Sequence, residues 1–266
     1  MPRSALINVM VQAAMKAGRG LVRDFGELEN LQVATKGTSD FVSAADLRAE
    51  EVLRKELARV RPGYGFLMEE SGATPGTDTT HRWIVDPLDG TTNFLHAIPL
   101  FAISIALERE GRIVAAVVLN PVTNELFTAE QGAGAFLNDR RIRTAQRRTL
   151  AEAVVTCGIP HRGRGDHAAF LSEFATVMDK VAGLRRTGAA ALDLAWVAAG
   201  RFDGFFERDL SPWDIAAGEL LVSEAGGYVT DYSGRDSAWQ TGTVIAGNPE
   251  IHQALVIALN RPSAAA

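Results

Sequence analysis

Apolar positions near the start of the chain recur at helical spacing. Leu6, Val9, Met10, Ala13, Ala17 and Leu21 fall on one face and predict an amphipathic first helix. The stretch from Lys36 to Asp46 opens Gly/Ser/Thr-rich and reads as a loop or hairpin bend. From Ala44 the helical period returns, with Leu53, Leu57 and Val60 on one side and Arg61-Pro62-Gly63 as the stop. The rhythm then becomes that of strands. Residues 65–68 are an apolar run closed by Glu69 and Glu70, and the polar stretch 72–80 reads as a surface loop. Trp83-Ile84-Val85 is a short strand ending at Asp86-Pro87, where a missing ladder donor should stop regular pairing. Residues 101–108 and 112–120 pair around Glu110-Gly111, and 125–129 and 135–138 continue the β character.

After residue 144 strands and helices alternate. A strand at 153–157, helices at 166–181 and 190–199, and a strand at 204–207 lead to Ser211-Pro212, an N-cap followed by a first-position proline. That helix runs to Glu224 and closes at Gly226-Gly227. Strands at 228–231 and 243–246 and a helix from Asn248-Pro249 complete the chain. The pattern predicts an α/β protein with an α+β first half over 1–144 and an α/β second half over 145–266.

Composition narrows the class. With 47% hydrophobic and 22% charged residues among 266, the chain has ample material for a globular core. A net charge of −5 argues against a general nucleic-acid binder. Cys157 is the only cysteine, so neither an internal disulfide nor a Cys-based zinc cluster can form, which fits a reducing cytoplasm. No run of 18 apolar residues suits a membrane span. Asn8 and Gln12 interrupt the faint likeness of the N-terminus to a signal peptide. The five histidines show no metal spacing. The five arginines of 140–148 read as a solvated connection and His161 to Gly165 as a polar loop.

The chemistry concentrates around Asp86. Asp86 and Asp89 lie three apart with the Leu88 carbonyl between them, Gly90 permits close approach, and Thr91 and Thr92 can begin a helix. Two carboxylates, a carbonyl and a helix start suit hard cations plus a phosphate, although the same residues also make an ordinary strand-to-turn corner. Asp46, Glu69, Asp86, Asp89, Glu207 and Asp214 each fall at a strand end or helix start, and such ends often converge at one edge of a layered fold. Without cations, converging carboxylates repel and some protonate; magnesium, which prefers oxygen ligands, removes the conflict.

Asp-Pro-Leu-Asp-Gly-Thr-Thr-Asn-Phe (86–94) resembles the signature of the inositol monophosphatase family of metal-dependent phosphomonoesterases. Glu69-Glu70-Ser71, Trp213-Asp214 and Glu224-Ala225-Gly226-Gly227 match further family elements in order, and the likeness covers nearly the whole chain. Arg185-Arg186-Thr187-Gly188 and 191–195 through Phe206-Glu207 are most similar to bacterial SuhB-type members.

The resemblance implies an αβαβα layered fold of the inositol monophosphatase/fructose bisphosphatase kind and a homodimer. It implies one Mg²⁺ held by Glu69, Asp86 and the Leu88 carbonyl, a second shared by Asp86, Asp89 and Asp214, and a weaker third near Glu69. Asp46 and Thr91 are then the pair that orients and deprotonates the attacking water; Gly90 and Thr91 N–H groups receive the phosphate; and Asp89, Ala190 and Glu207 hold substrate hydroxyls. The implied activity is Mg²⁺-dependent hydrolysis of myo-inositol monophosphate by direct water attack, with lithium inhibition. Ala44-Ala45, where the family commonly has Thr, and Ala189, where many members have Thr or Ser, depart from the pattern, the latter at a position that bears on sugar selectivity.

Related phosphatases acting on histidinol phosphate, fructose bisphosphate or 3′-phosphoadenosine phosphate are alternatives, with Asn93-Phe94 favouring the inositol type. A regulatory role is the other alternative, because SuhB-type relatives are associated with the transcription machinery. RNA polymerase or antitermination factors would then be partners, and the arginine-rich segments 140–148 and 161–165 the surfaces.

Overall fold

A computed structural model describes residues 3–27, 33–35, 41–160, 165–236 and 238–260. Residues 36–40 of the expected loop, 161–164 of the polar loop and the Ser-Ala tail lie outside the described residues. In the first half, α1 (Ala5–Phe25), β1 (Val33–Thr35), β2 (Phe41–Ser43) and α2 (Ala44–Val60) precede β3 (Tyr64–Met68), β4 (Gly72–Thr74) and β5 (Asp78–Asp89). After α3 (Thr91–Leu95) come β6 (Ala102–Arg109), β7 (Arg112–Asn120), β8 (Glu125–Glu130), β9 (Gly134–Leu137) and β10 (Arg140–Arg141). The second half runs β11 (Val154–Cys157), α4 (His167–Met178), β12 (Gly183–Arg185), α5 (Ala190–Ala198), β13 (Gly204–Glu207) and α6 (Pro212–Glu224). It ends with β14 (Tyr228–Thr230), α7 (Ala238–Thr241), β15 (Val244–Gly247) and α8 (Pro249–Asn260).

Strands β3 to β10 form one eight-stranded sheet, ordered β10-β9-β8-β7-β6-β5-β3-β4, in which only the β3–β5 pair is parallel. The second sheet is five-stranded and mixed, ordered β12-β11-β13-β15-β14. Period-two alternation assigns each face. Ile103, Ile105 and Leu107 of β6 point into a core with α1 and α2, whereas Ala102 and Ala106 point into the core built with α5 and α6. In the second sheet, Phe205, Val244 and Ala246 face that same central core, and Phe206, Ile245 and Cys157 face outward to a third core with α8. The layers are therefore α1/α2, sheet, α5/α6, sheet, α4/α8. Small residues let the middle layer fit, since a Cβ on Gly218 of α6 would come within 2.5 Å of the Leu194 side chain of α5.

Several expectations need correcting. Residues 72–80 are not wholly loop: β4 pairs with β3, and β5 begins at Asp78. The helix expected at 166–181 is shorter, β12 and α7 carry too little periodicity to be seen, and pairing resumes after Pro87. Arg140–Arg141 pairs with β9, so 140–148 is not all solvated connection. All five arginines of the segment are exposed, as expected, though Arg147 also donates to both oxygens of the buried Asp203 at 2.7 and 2.9 Å.

Glu219 of α6 has its carboxyl pushed up to about 7 by burial, against the hydrogen bond from the Trp239 N–H. An acid that holds its proton more tightly when folded loses stabilisation as pH rises, here from 4.5 to about 7. Glu219→Gln is expected to raise Tm over the parent at about pH 8 and to leave it unchanged near about pH 4. Equal melting at the alkaline end would mean that water reaches the carboxylate.

Candidate active site

The site is built where strands stop. The last registered pair of the parallel β3–β5 ladder is Met68–Val85, both facing α1 and α2, so Glu69 and Asp86, one residue on, turn to the opposite face. Glu69 N–H still donates to the Val85 carbonyl at 3.2 Å, which keeps the two strand ends side by side.

Asp89 joins them through an irregularity. Asp86 pairs with Ser104 and Asp89 with Ala102, so β5 advances three residues while β6 advances two. Residues three apart on a regular strand point to opposite faces; the extra residue around Pro87 restores the same face for both aspartates. Proline suits this unpaired position because it has no N–H to satisfy. The Leu88 N–H closes the bulge onto Asp86 Oδ1 at 2.9 Å.

Gly90, at φ +92°, turns the chain into α3. A Cβ there would meet the Leu100 carbonyl at 2.9 Å and Ala189 at 3.2 Å, so both conformation and space require glycine. Thr91 Oγ1 donates to the Leu88 carbonyl at 3.1 Å.

The second half supplies the rest. Ser104 Oγ donates to the Trp213 carbonyl at 3.1 Å, tying the start of α6 to the strand opposite Asp86. Asp214 Oδ2 accepts the Ser211 N–H at 2.8 Å, so the helix start aims this carboxylate. The Ala191 N–H at the start of α5 donates to Asp89 Oδ2 at 2.8 Å. As a result, carboxylate oxygens of Asp86, Asp89 and Asp214 all lie within 4.8 Å of one another.

These groups line a cleft of about 460 Å³, as do Glu69, Leu88, Gly90, Thr91, Ala190 and Glu207. Asp46 is the one expected site residue outside that lining; it sits buried in the first turn of α2. Sequence reasoning missed Arg186, Asp193 and Trp213, which also line the cleft. The signal for Asp193 was an acid in an otherwise apolar helical run, Ala190 to Ala198. Arg186 was marked only by its place in the family-like segment 185–188 and by its charge.

Burial raises the carboxyls of Asp86 and Asp89 well above the usual range. Glu69, Asp89 and Asp214 add repulsion at Asp86; Asp214, Asp193 and Glu69 add it at Asp89, where the Ala191 N–H acts against the rise. Glu207 is raised likewise by burial, then by Asp193, Asp214 and Asp89, with Arg186 opposing. A buried cluster of this kind is costly unless cations compensate it. Its donors are carboxylate and carbonyl oxygens, with no histidine or cysteine among the described residues of the lining, which fits a hard divalent metal.

Comparison with known proteins agrees with this geometry. The family model described as "Inositol monophosphatase family" matches residues 3–264. The chain is 62% identical over 265 residues to a Mesorhizobium japonicum protein named "Inositol-1-monophosphatase", covering 100% of both. It is 43% identical to the Escherichia coli protein named "Nus factor SuhB", covering 94% of each. The crystal structure of extragenic suppressor protein SuhB from Bartonella henselae superimposes with a TM-score of 0.94 at 57% identity, over 97% of this chain and 99% of that one.

Proposed function

Since this chain belongs to the inositol monophosphatase family, we propose that it hydrolyses myo-inositol monophosphate to myo-inositol and phosphate at the cleft where β3, β5, α5 and α6 meet. The observation that carries this reading is the convergence of Asp86, Asp89 and Asp214 within 4.8 Å beside the start of α3.

Magnesium is the metal we assign to this all-oxygen donor set, which suits a hard divalent cation. Glu69, Asp86 and the Leu88 carbonyl would hold one ion, Asp86, Asp89 and Asp214 a second, and the neighbourhood of Glu69 a weaker third. When bound, the ions lower the pKa of water, offset the phosphate charge and stabilise the leaving alkoxide. The chain supplies the rest. Backbone N–H groups of Gly90 and Thr91 receive phosphate oxygens, and Asp89, Ala190 and Glu207 hold the alcohol by its hydroxyls. Thr91, backed by Asp46 behind the lining, orients the attacking water and takes its proton. The water oxygen bonds to phosphorus as the P–O bond to inositol breaks, the alkoxide takes up a proton from solvent, and no covalent phosphoenzyme forms.

The test is phosphate release from myo-inositol 1-phosphate, histidinol phosphate, fructose 1,6-bisphosphate and 3′-phosphoadenosine 5′-phosphate, with Mg²⁺ varied. The inositol ester is expected to turn over fastest, with lithium inhibiting and no phosphorylated protein accumulating. Faster release from another ester would reassign the substrate, and a trapped phosphoprotein would overturn the mechanism.

A second reading rests on the relative named "Nus factor SuhB". In it the chain also binds RNA polymerase or antitermination factors, independently of catalysis. Pull-down of transcription components that survives Asp89→Asn would support this role, and none captured by either form would exclude it. We further infer a cytoplasmic homodimer. No helix among the described residues is long and apolar enough to cross a membrane.

A further inference from the structure

The two ends of the cleft are joined by a hydrogen-bonded chain of side chains that the mechanism above does not use. Asn93, buried in α3, spends both amide hydrogens on carbonyls, one to Leu100 at 2.7 Å and one to Thr187 at 2.8 Å. Thr187 is buried too; its hydroxyl accepts the Ala189 N–H at 3.4 Å and hydrogen-bonds to Asp193. The other side of the Asp193 carboxylate takes the Thr156 hydroxyl of β11 at 3.0 Å, and Asp193 is only 1% exposed. Two residues before Asp193, the Ala191 N–H holds Asp89. A Cβ on Gly188 would come within 3.1 Å of the Asn93 amide, so the segment is also pressed against α3.

We propose that Asp193 is a positioning residue. Through Thr187 and Asn93 it fixes the 186–189 segment between α3, where phosphate is received, and α5 with β13, where the alcohol is held. The proposal rests on the phosphatase reading for its kinetic consequence and on geometry alone for the clamp.

A buried acid is a demanding choice for this task. Burial pushes its carboxyl up to about 7, against hydrogen bonds from Thr187 and Thr156 and the charge of Arg186. An alanine would leave two buried threonine hydroxyls and a helix turn without a shared partner. An asparagine, equal in size, still accepts from Thr156 and can donate to the Thr187 oxygen.

Misplacement of reacting groups by about 1 Å can cost ~10²-fold in rate. Asp193→Ala is therefore expected to lower kcat for myo-inositol 1-phosphate by ~10- to 100-fold. Inhibition by inorganic phosphate, which engages one end of the cleft only, should stay within about twofold, and Asp193→Asn should recover most of the rate. Amide hydrogen exchange gives a readout independent of turnover: Asp193→Ala should lose protection at 187–191 and 93–94 together, while β6 and β7 stay protected.

Unchanged exchange at 93–94 would overturn the clamp. So would an asparagine variant as slow as the alanine one, because charge rather than hydrogen bonding would then be the requirement. If wild-type protein hydrolyses none of the esters while exchange behaves as stated, the phosphatase reading fails and the clamp stands.

Discussion

Replacing Asp89 by Asn should abolish most turnover and yet stabilise the metal-free protein. In the proposed site this carboxylate holds metal and substrate, and loss of one group aimed at developing charge costs ~10²–10³-fold in kcat. The fold should survive, because the Asn carbonyl oxygen can still accept the Ala191 N–H that Asp89 Oδ2 accepts at 2.8 Å. Without metal, the charge that Asp89 loses is one that burial and Asp214 already disfavour. Thermal melting in chelator should therefore show Asp89→Asn above wild type, and phosphate-release assays should show it far below. Near-normal turnover would move the site elsewhere. Melting below wild type in chelator would mean that the cluster is not a source of strain.

Metal removal carries the second large effect. Ligand bound to the folded state at about 100 times its Kd stabilises by ~2.7 kcal/mol, which for a chain of this size is roughly 5–10 °C in Tm. Adding Mg²⁺ to chelated wild-type protein should raise Tm by about that amount and restore activity, and should do neither in Asp86→Asn. The sign with pH follows from the raised carboxyls. In metal-free protein Asp86 and Asp89 hold protons more tightly than the unfolded chain does, so stability falls as pH rises above the ordinary 3.8. Bound cations oppose that loss, so the Mg²⁺ shift in Tm should widen as pH rises. A shift that narrows instead would place the ion away from these aspartates.

Much of this site was legible in the sequence because its residues sit at punctuation. Pro87, Gly90 and Ser211-Pro212 mark where strands end and helices start, and an acid beside each mark carries a physical expectation. What could not be read was direction. Spacing alone would have sent Asp86 and Asp89 to opposite faces of β5, and only the pairing with Ser104 and Ala102 reveals the extra residue that reunites them. Asp193 was hidden for a different reason. It lies inside an apolar helix, and nothing local says that two threonines from β11 and the 186–189 segment will converge on it. The 72–80 region was misread because its polar, Gly-containing composition outweighed the pairing of β4 that tertiary context imposes.

The placement of α6 between the sheets has a consequence for how the protein comes into being. Glu69, Asp86 and Asp89 leave the ribosome early, but Asp214 and the start of α5 that complete their surroundings are made much later. A nascent or truncated chain would hold the acids without the frame that gathers them in the proposed site. In the proposed site, enzymatic competence would thus arrive only once α5 and the start of α6 have been made, long after the first acids.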